Sequence, residues 1–144
     1  MAVLALVVSV CSVLYSARQT KAAAEQARIG NAMAAVSAND MALRSLREVH
    51  LLMLERPGSR AYFYADEPLP ERPEERDEIV TIAELLADVM CSGVHVHQQV
   101  PGSTSAEAWD DYCRATLATS PVLRERVRAH PEWWPQLVAL LPGD

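Results

Sequence analysis

The first seventeen residues, MAVLALVVSVCSVLYSA (1–17), carry no charged side chain. Val3, Leu4, Leu6, Val7, Val8, Val10, Val13 and Leu14 cover every face of a helix. Such a helix has no side for water and belongs in a core or in lipid. At ~1.5 Å per residue the run spans roughly 25 Å, near the lower limit for a bilayer crossing. Arg18 and Lys21 follow at once, where long cationic side chains can reach headgroups. The run therefore reads as a retained transmembrane anchor. A cleaved secretory signal fits less well, because no positive residue precedes the run and Tyr15 stands where a small residue is wanted. A helix buried in a core or in a dimer is the remaining alternative. Arg18, Lys21 and Arg28 all follow the run, so the positive-inside rule puts the C-terminal part in the cytoplasm. The expected location is the cell membrane, with a single pass.

The 144-residue chain has a net charge of −6. Its only lysine is Lys21, and no basic stripe is available to neutralise phosphates, which excludes a nucleic-acid binder. Arginine in place of lysine, with abundant Ala, Val and Pro, suggests a GC-rich, bacterial coding genome. Beyond residue 40, about 100 residues remain, enough for one small core. All aromatic residues except Tyr15 lie at or after Tyr62, so bulky packing is expected there. Cys11, Cys91 and Cys113 do not make a disulfide framework and read as free thiols.

Three segments are expected: an anchor over 1–17, a helical stalk over 18–40 and a small all-α domain over 41–144. The stalk is alanine-rich, which favours helix. Ala22, Ile29, Met33 and Val36 form a narrow stripe, either a solvated stalk or a short seam that pairs two copies. Ser16 to Glu55 reads as helix throughout, with weak points at Gly30-Asn31 and at 37–40, where Asn39 or Asp40 could cap a new helix from Met41. Met41, Leu43, Leu46, Val49, Leu51, Leu52, Met53 and Leu54 would carry that helix into the core, and Pro57-Gly58 would end it. His50, flanked by apolar residues, reads as packed and hydrogen-bonded. Ser59 could cap one turn holding Tyr62-Phe63-Tyr64.

After a proline-bearing loop, Pro73 suits the first turn of a helix with Ile79, Ile82, Ala83, Leu86, Val89 and Met90 on its buried side. Val94-His95-Val96-His97 could continue that helix or leave it extended. Pro101-Gly102-Ser103 reads as a turn and Thr104-Ser105-Ala106-Glu107 as a capping box. Trp109, Tyr112, Cys113, Thr116 and Leu117 share one side of the next helix. Ser120-Pro121 starts another, and Pro135 to Leu141 a terminal one. The expected fold is thus an N-terminal transmembrane helix, a stalk and a bundle of about four to five helices.

One constellation has the spacing for chemistry. Glu84, Asp88, Cys91 and His95 project within about 60° of each other on a continuous helix, and such a set can bind zinc. The competing reading is a solvated face. Cys91–His95 and Cys113–His130 pairs lack a nucleophile elbow, an oxyanion loop and a third residue. Phosphate-binding and dinucleotide motifs are absent, so neither an enzyme nor a cofactor is expected. Between Asp66 and Asp88 nine acids face two arginines. Glu74, Glu75, Asp77 and Glu78 on one side, and Arg124 and Arg128 on the other, are the candidate interaction residues, for an unidentified protein partner or a second copy. Of Trp133-Trp134, one ring is expected in the core and one at its rim.

Tyr62-Phe63-Tyr64, Pro68, Glu75-Arg76, Ile82-Ala83-Glu84, Asp88, Trp109, Tyr112, Ser120-Pro121 and Trp133-Trp134 together resemble a group of small bacterial proteins with one N-terminal transmembrane helix and a short all-helical domain. The resemblance covers roughly residues 41–141 and the anchor. It implies a shared fold and carries no activity. The expected function is a membrane-anchored interaction or scaffold module held to the bilayer through residues 1–17. The alternatives are a membrane-tethered metal protein or enzyme using the Glu84 to His95 set, and a soluble helical regulator with the N-terminal run buried.

Overall fold

Nothing interrupts the helix-forming sequence that follows the apolar run. In the computed structural model, which describes residues 2–99 and 106–143, helix α1 runs Ala2–Glu55. It is followed by α2 (Ala61–Tyr64), α3 (Pro73–Gln99), α4 (Ala106–Thr119), α5 (Pro121–Ala129) and α6 (Pro135–Val138). The described residues are all-α and contain no strand. The expected turn at 101–103 and the first half of the capping box, 104–105, lie outside the described residues, as do the side chains at 2–6, 8, 10 and 99.

The chain divides into two units, Met1–Ala34 and Ala35–Asp144. In the first, the described side chains are exposed, among them Val13, Leu14, Ile29 and Met33. The second begins at Ala35. Ala35, Ala38, Asn39 and Ala42 are already half-buried, in register with buried Leu46, Val49 and Met53.

No new helix starts at Met41. Asp40 pairs instead with Arg44 one turn on, at 2.7 Å, a contact that supports helix. The expected apolar stripe is also narrower. Met41, Leu51 and Leu54 are exposed at 67%, 57% and 76%. At 3.6 residues per turn, Leu46, Val49 and Met53 share a face that Leu51 and Leu54 cannot join.

α3 is the centre of the second unit, and α4, α5 and α6 all pack on it. Its buried side is the expected one, with Ile79, Ile82, Ala83, Leu86 and Met90, extended by Ala87 and Val94; Val89 is only half-buried. Phe63, Leu117, Leu123 and Leu137 complete the fully buried core. Gly93 does not end α3. It lets α4 approach: a Cβ there would fall inside the Trp109 indole, whose Nε1 donates to the Met90 carbonyl at 3.2 Å. The Val94 to His97 stretch is therefore helical, with Val94 and His97 buried and His95 exposed.

The α2/α4/α5 joint is built from side chains that close backbone groups. Ser120 caps α5 by accepting from the Leu123 amide at 3.3 Å, and donates to the Tyr62 carbonyl at 2.8 Å. Thr119 donates to the Phe63 carbonyl, and the Asp66 amide to the Thr119 carbonyl. Asp66 has φ +56°, a left-handed conformation that Asp tolerates better than most residues. Ser59 does not cap α2. Its hydroxyl donates back to the Met53 carbonyl at 3.0 Å, closing the end of α1.

Gly93→Ala is expected to destabilise the protein by about 1–3 kcal/mol, despite the better helix propensity of alanine. Urea unfolding of the two proteins checks this.

Candidate functional site

Because α3 continues past Gly93, Glu84, Asp88, Cys91 and His95 do lie along one face, as their spacing requires. That face is only partly covered: Cys91 is buried and Glu84 half-buried, while Asp88 and His95 stay exposed. α5 and the segment after it provide this cover, and each side chain is engaged separately. Glu84 forms an ion pair with Arg126. Asp88 accepts from the Trp134 indole at 2.7 Å. The Cys91 thiol donates to the Gln136 side-chain oxygen at 2.8 Å, and the Gln136 amide nitrogen lies 3.3 Å from His95 Nδ1. Among the described residues, no three His, Cys, Asp or Glu side chains come together to hold a metal ion. A metal held by all four would have to displace four existing interactions.

Burial also disfavours the thiolate, the reactive form, at Cys91 and Cys113. It pushes the Cys91 thiol up, and the Cys113 thiol up to about 12, with Asp110 and Cys91 adding to the effect at Cys113. Cys113 is fully buried, while His130 stacks on Trp133 with ring centroids 4.0 Å apart. His95 and His97 point to different sides of α3; His97 packs against Trp109 at 6.0 Å. Trp134 is 2% exposed and Trp133 is 53% exposed, the expected division between core and rim.

The acidic candidates lie at the start of α3. Glu78 pairs with Arg56 at 3.3 Å and Glu74 with Arg72 at 3.8 Å, while Glu75 accepts from the Tyr62 hydroxyl at 3.4 Å. Asp77 is exposed, and its carbonyl accepts from Thr81. Glu74, Glu75 and Glu78, with Arg56, Tyr62 and Arg72, line an open cleft of about 370 Å³. Arg124 is a fastening residue as much as a surface cation. It donates to the Leu117 and Ala118 carbonyls at the end of α4 and pairs with Asp66 at 3.3 Å. Arg128 lies with it beside an open hollow next to Pro121.

A polar chain that the sequence does not announce joins three helices. His50 Nε2 lies 2.8 Å from the Tyr64 hydroxyl, which lies 2.8 Å from the Tyr112 hydroxyl. The Arg60 guanidinium sits 4.5 Å above the Tyr64 ring. Burial and Arg60 lower the His50 pKa, and burial raises those of Tyr64 and Tyr112. The apolar flanks of His50 gave its packing, but not partners 14 and 62 positions away.

The chain matches no family model, and no curated protein or solved structure matches it either.

Asp88→Ala leaves the Trp134 indole without its acceptor. A loss of about 1–3 kcal/mol is expected, accompanied by a change in tryptophan emission, and chemical unfolding followed by fluorescence reads both.

Proposed function

We propose that the protein is a single-span membrane protein whose helical domain serves as an interaction or scaffold module. The observation that carries this reading is the exposure of the apolar run. Val7, Val13, Leu14 and Tyr15 are 54%, 67%, 59% and 64% exposed in a stretch without charge. Such a surface needs an apolar environment. A bilayer supplies it, and Arg18 and Lys21 stand where the headgroups would be. α3 is a useful contrast. Among the described residues, Pro73–Gln98 is long and apolar enough to cross a membrane. Its apolar side, however, is the core of the second unit, and its polar side is engaged by Arg126, Trp134 and Gln136.

A binding role is favoured over a reaction because the candidate chemical groups are engaged within the fold. What the domain offers outward is charge: Glu74, Asp77 and Glu78 at the start of α3, and Arg128 on α5. By the positive-inside rule this surface faces the cytoplasm. The likeness to small single-span bacterial proteins belongs to the same reading.

The test is alkaline carbonate extraction of the full-length protein tagged at its C-terminus, with protease applied to intact and opened cells. Retention in the membrane, with the tag cut only after opening, is expected. Release by carbonate would replace the anchor with a helix covered by protein, and cutting in intact cells would reverse the orientation.

A further inference from the structure

We infer that the His50–Tyr64–Tyr112 chain is a proton-sensitive latch that fastens α1 to α2 and α4. The three side chains come from three helices, and two contacts of 2.8 Å connect them. Each tyrosine hydroxyl has one proton to donate. With the imidazole proton on Nδ1, one arrangement satisfies both contacts: Tyr112 donates to Tyr64, and Tyr64 donates to His50 Nε2. The imidazole is the terminal acceptor.

Protonation of Nε2 removes that acceptor. Tyr64 would have to reverse and donate to Tyr112, and the half-buried Tyr112 hydroxyl would lose its acceptor in the chain. A hydrogen bond lost in a partly desolvated place weakens the fastening. The charge itself is also unwelcome. The titratable groups facing His50 are Tyr64 from α2 and, through it, Tyr112 from α4. The charged group acting on it is Arg60, just before α2, a cation already held over the Tyr64 ring. On α1 itself, the positions one turn away are Leu46, Arg47, Met53 and Leu54, with no carboxylate among them. No neighbour rewards an imidazolium.

The sign follows from linkage. A histidine whose pKa is lowered on folding binds fewer protons in the latched state than in the open one. The latch is therefore at full strength above the ordinary histidine value of 6.5 and weakens as pH falls from there toward the lowered value. The inference does not depend on the membrane reading, since all its residues lie in the Ala35–Asp144 unit.

The test uses the full-length protein in detergent micelles with isotope-labelled histidine. The chain has four histidines, so loss of one signal in His50→Gln assigns the resonance. Nitrogen shifts should show Nε2 unprotonated at neutral pH, with a midpoint below 6.5. Deuterium uptake across residues 46–64, corrected for intrinsic exchange, should rise from about pH 7 to about pH 5. It should stay flat in His50→Gln. A protonated Nε2 at neutral pH, a midpoint at or above 6.5, or the same rise in the variant would overturn the latch. The first two are read on the unmodified protein and hold even if the variant folds poorly.

Discussion

α3 is too apolar to stand alone, and the second unit is arranged by what covers it. Ala83, Leu86, Ala87 and Met90 are each fully buried, and α4, α5 and α6 all pack on this helix. Gly93 sets how closely α4 can lie, because the Trp109 indole occupies the space of the missing side chain. Burial of that indole is compatible with its polar edge because the Met90 carbonyl accepts its proton. The short α5 and α6 are held by prolines at their first turns and by apolar residues that reach α3.

Once α3 is covered, its polar side acquires partners too. Cys91 is buried and Glu84 half-buried, where polar groups are costly without partners, while Asp88 stays exposed. Arg126, Trp134 and Gln136 supply one partner each. A row of potential ligands thus becomes a row of fastenings. The same rule operates at the α2/α4/α5 joint, where Ser120 and Thr119 close backbone carbonyls of α2, and Arg124 closes those at the end of α4. The His50–Tyr64–Tyr112 chain does this for α1. Polar side chains here specify which helices meet, while apolar burial drives their meeting.

The apolar stretch at 1–17 shows how composition can define a need without saying how it is met. Its charge-free helix and α3 are both apolar over a membrane-scale length. α3 has a polar strip at period 3.6 and aromatic partners later in the chain, and those cover it. The N-terminal run has no polar strip, and its described side chains are exposed.

Local patterning by itself determined an all-α chain, the start of α3 at Pro73 and the residues α3 buries, the Ser120 cap and the two fates of Trp133 and Trp134. Each depends on residues within a turn or two, where propensity and period act directly. The continuity of α1 through residues 37–40 is local as well, since Asp40 pairs with Arg44 one turn on rather than capping a new helix. Tertiary structure decided the fit of Gly93 against Trp109 and the engagement of every candidate metal ligand. The ligand contacts rest on partners 40 or more positions away, such as Glu84 with Arg126 and Asp88 with Trp134. One-dimensional spacing puts such groups on a face, and only packing determines what that face meets.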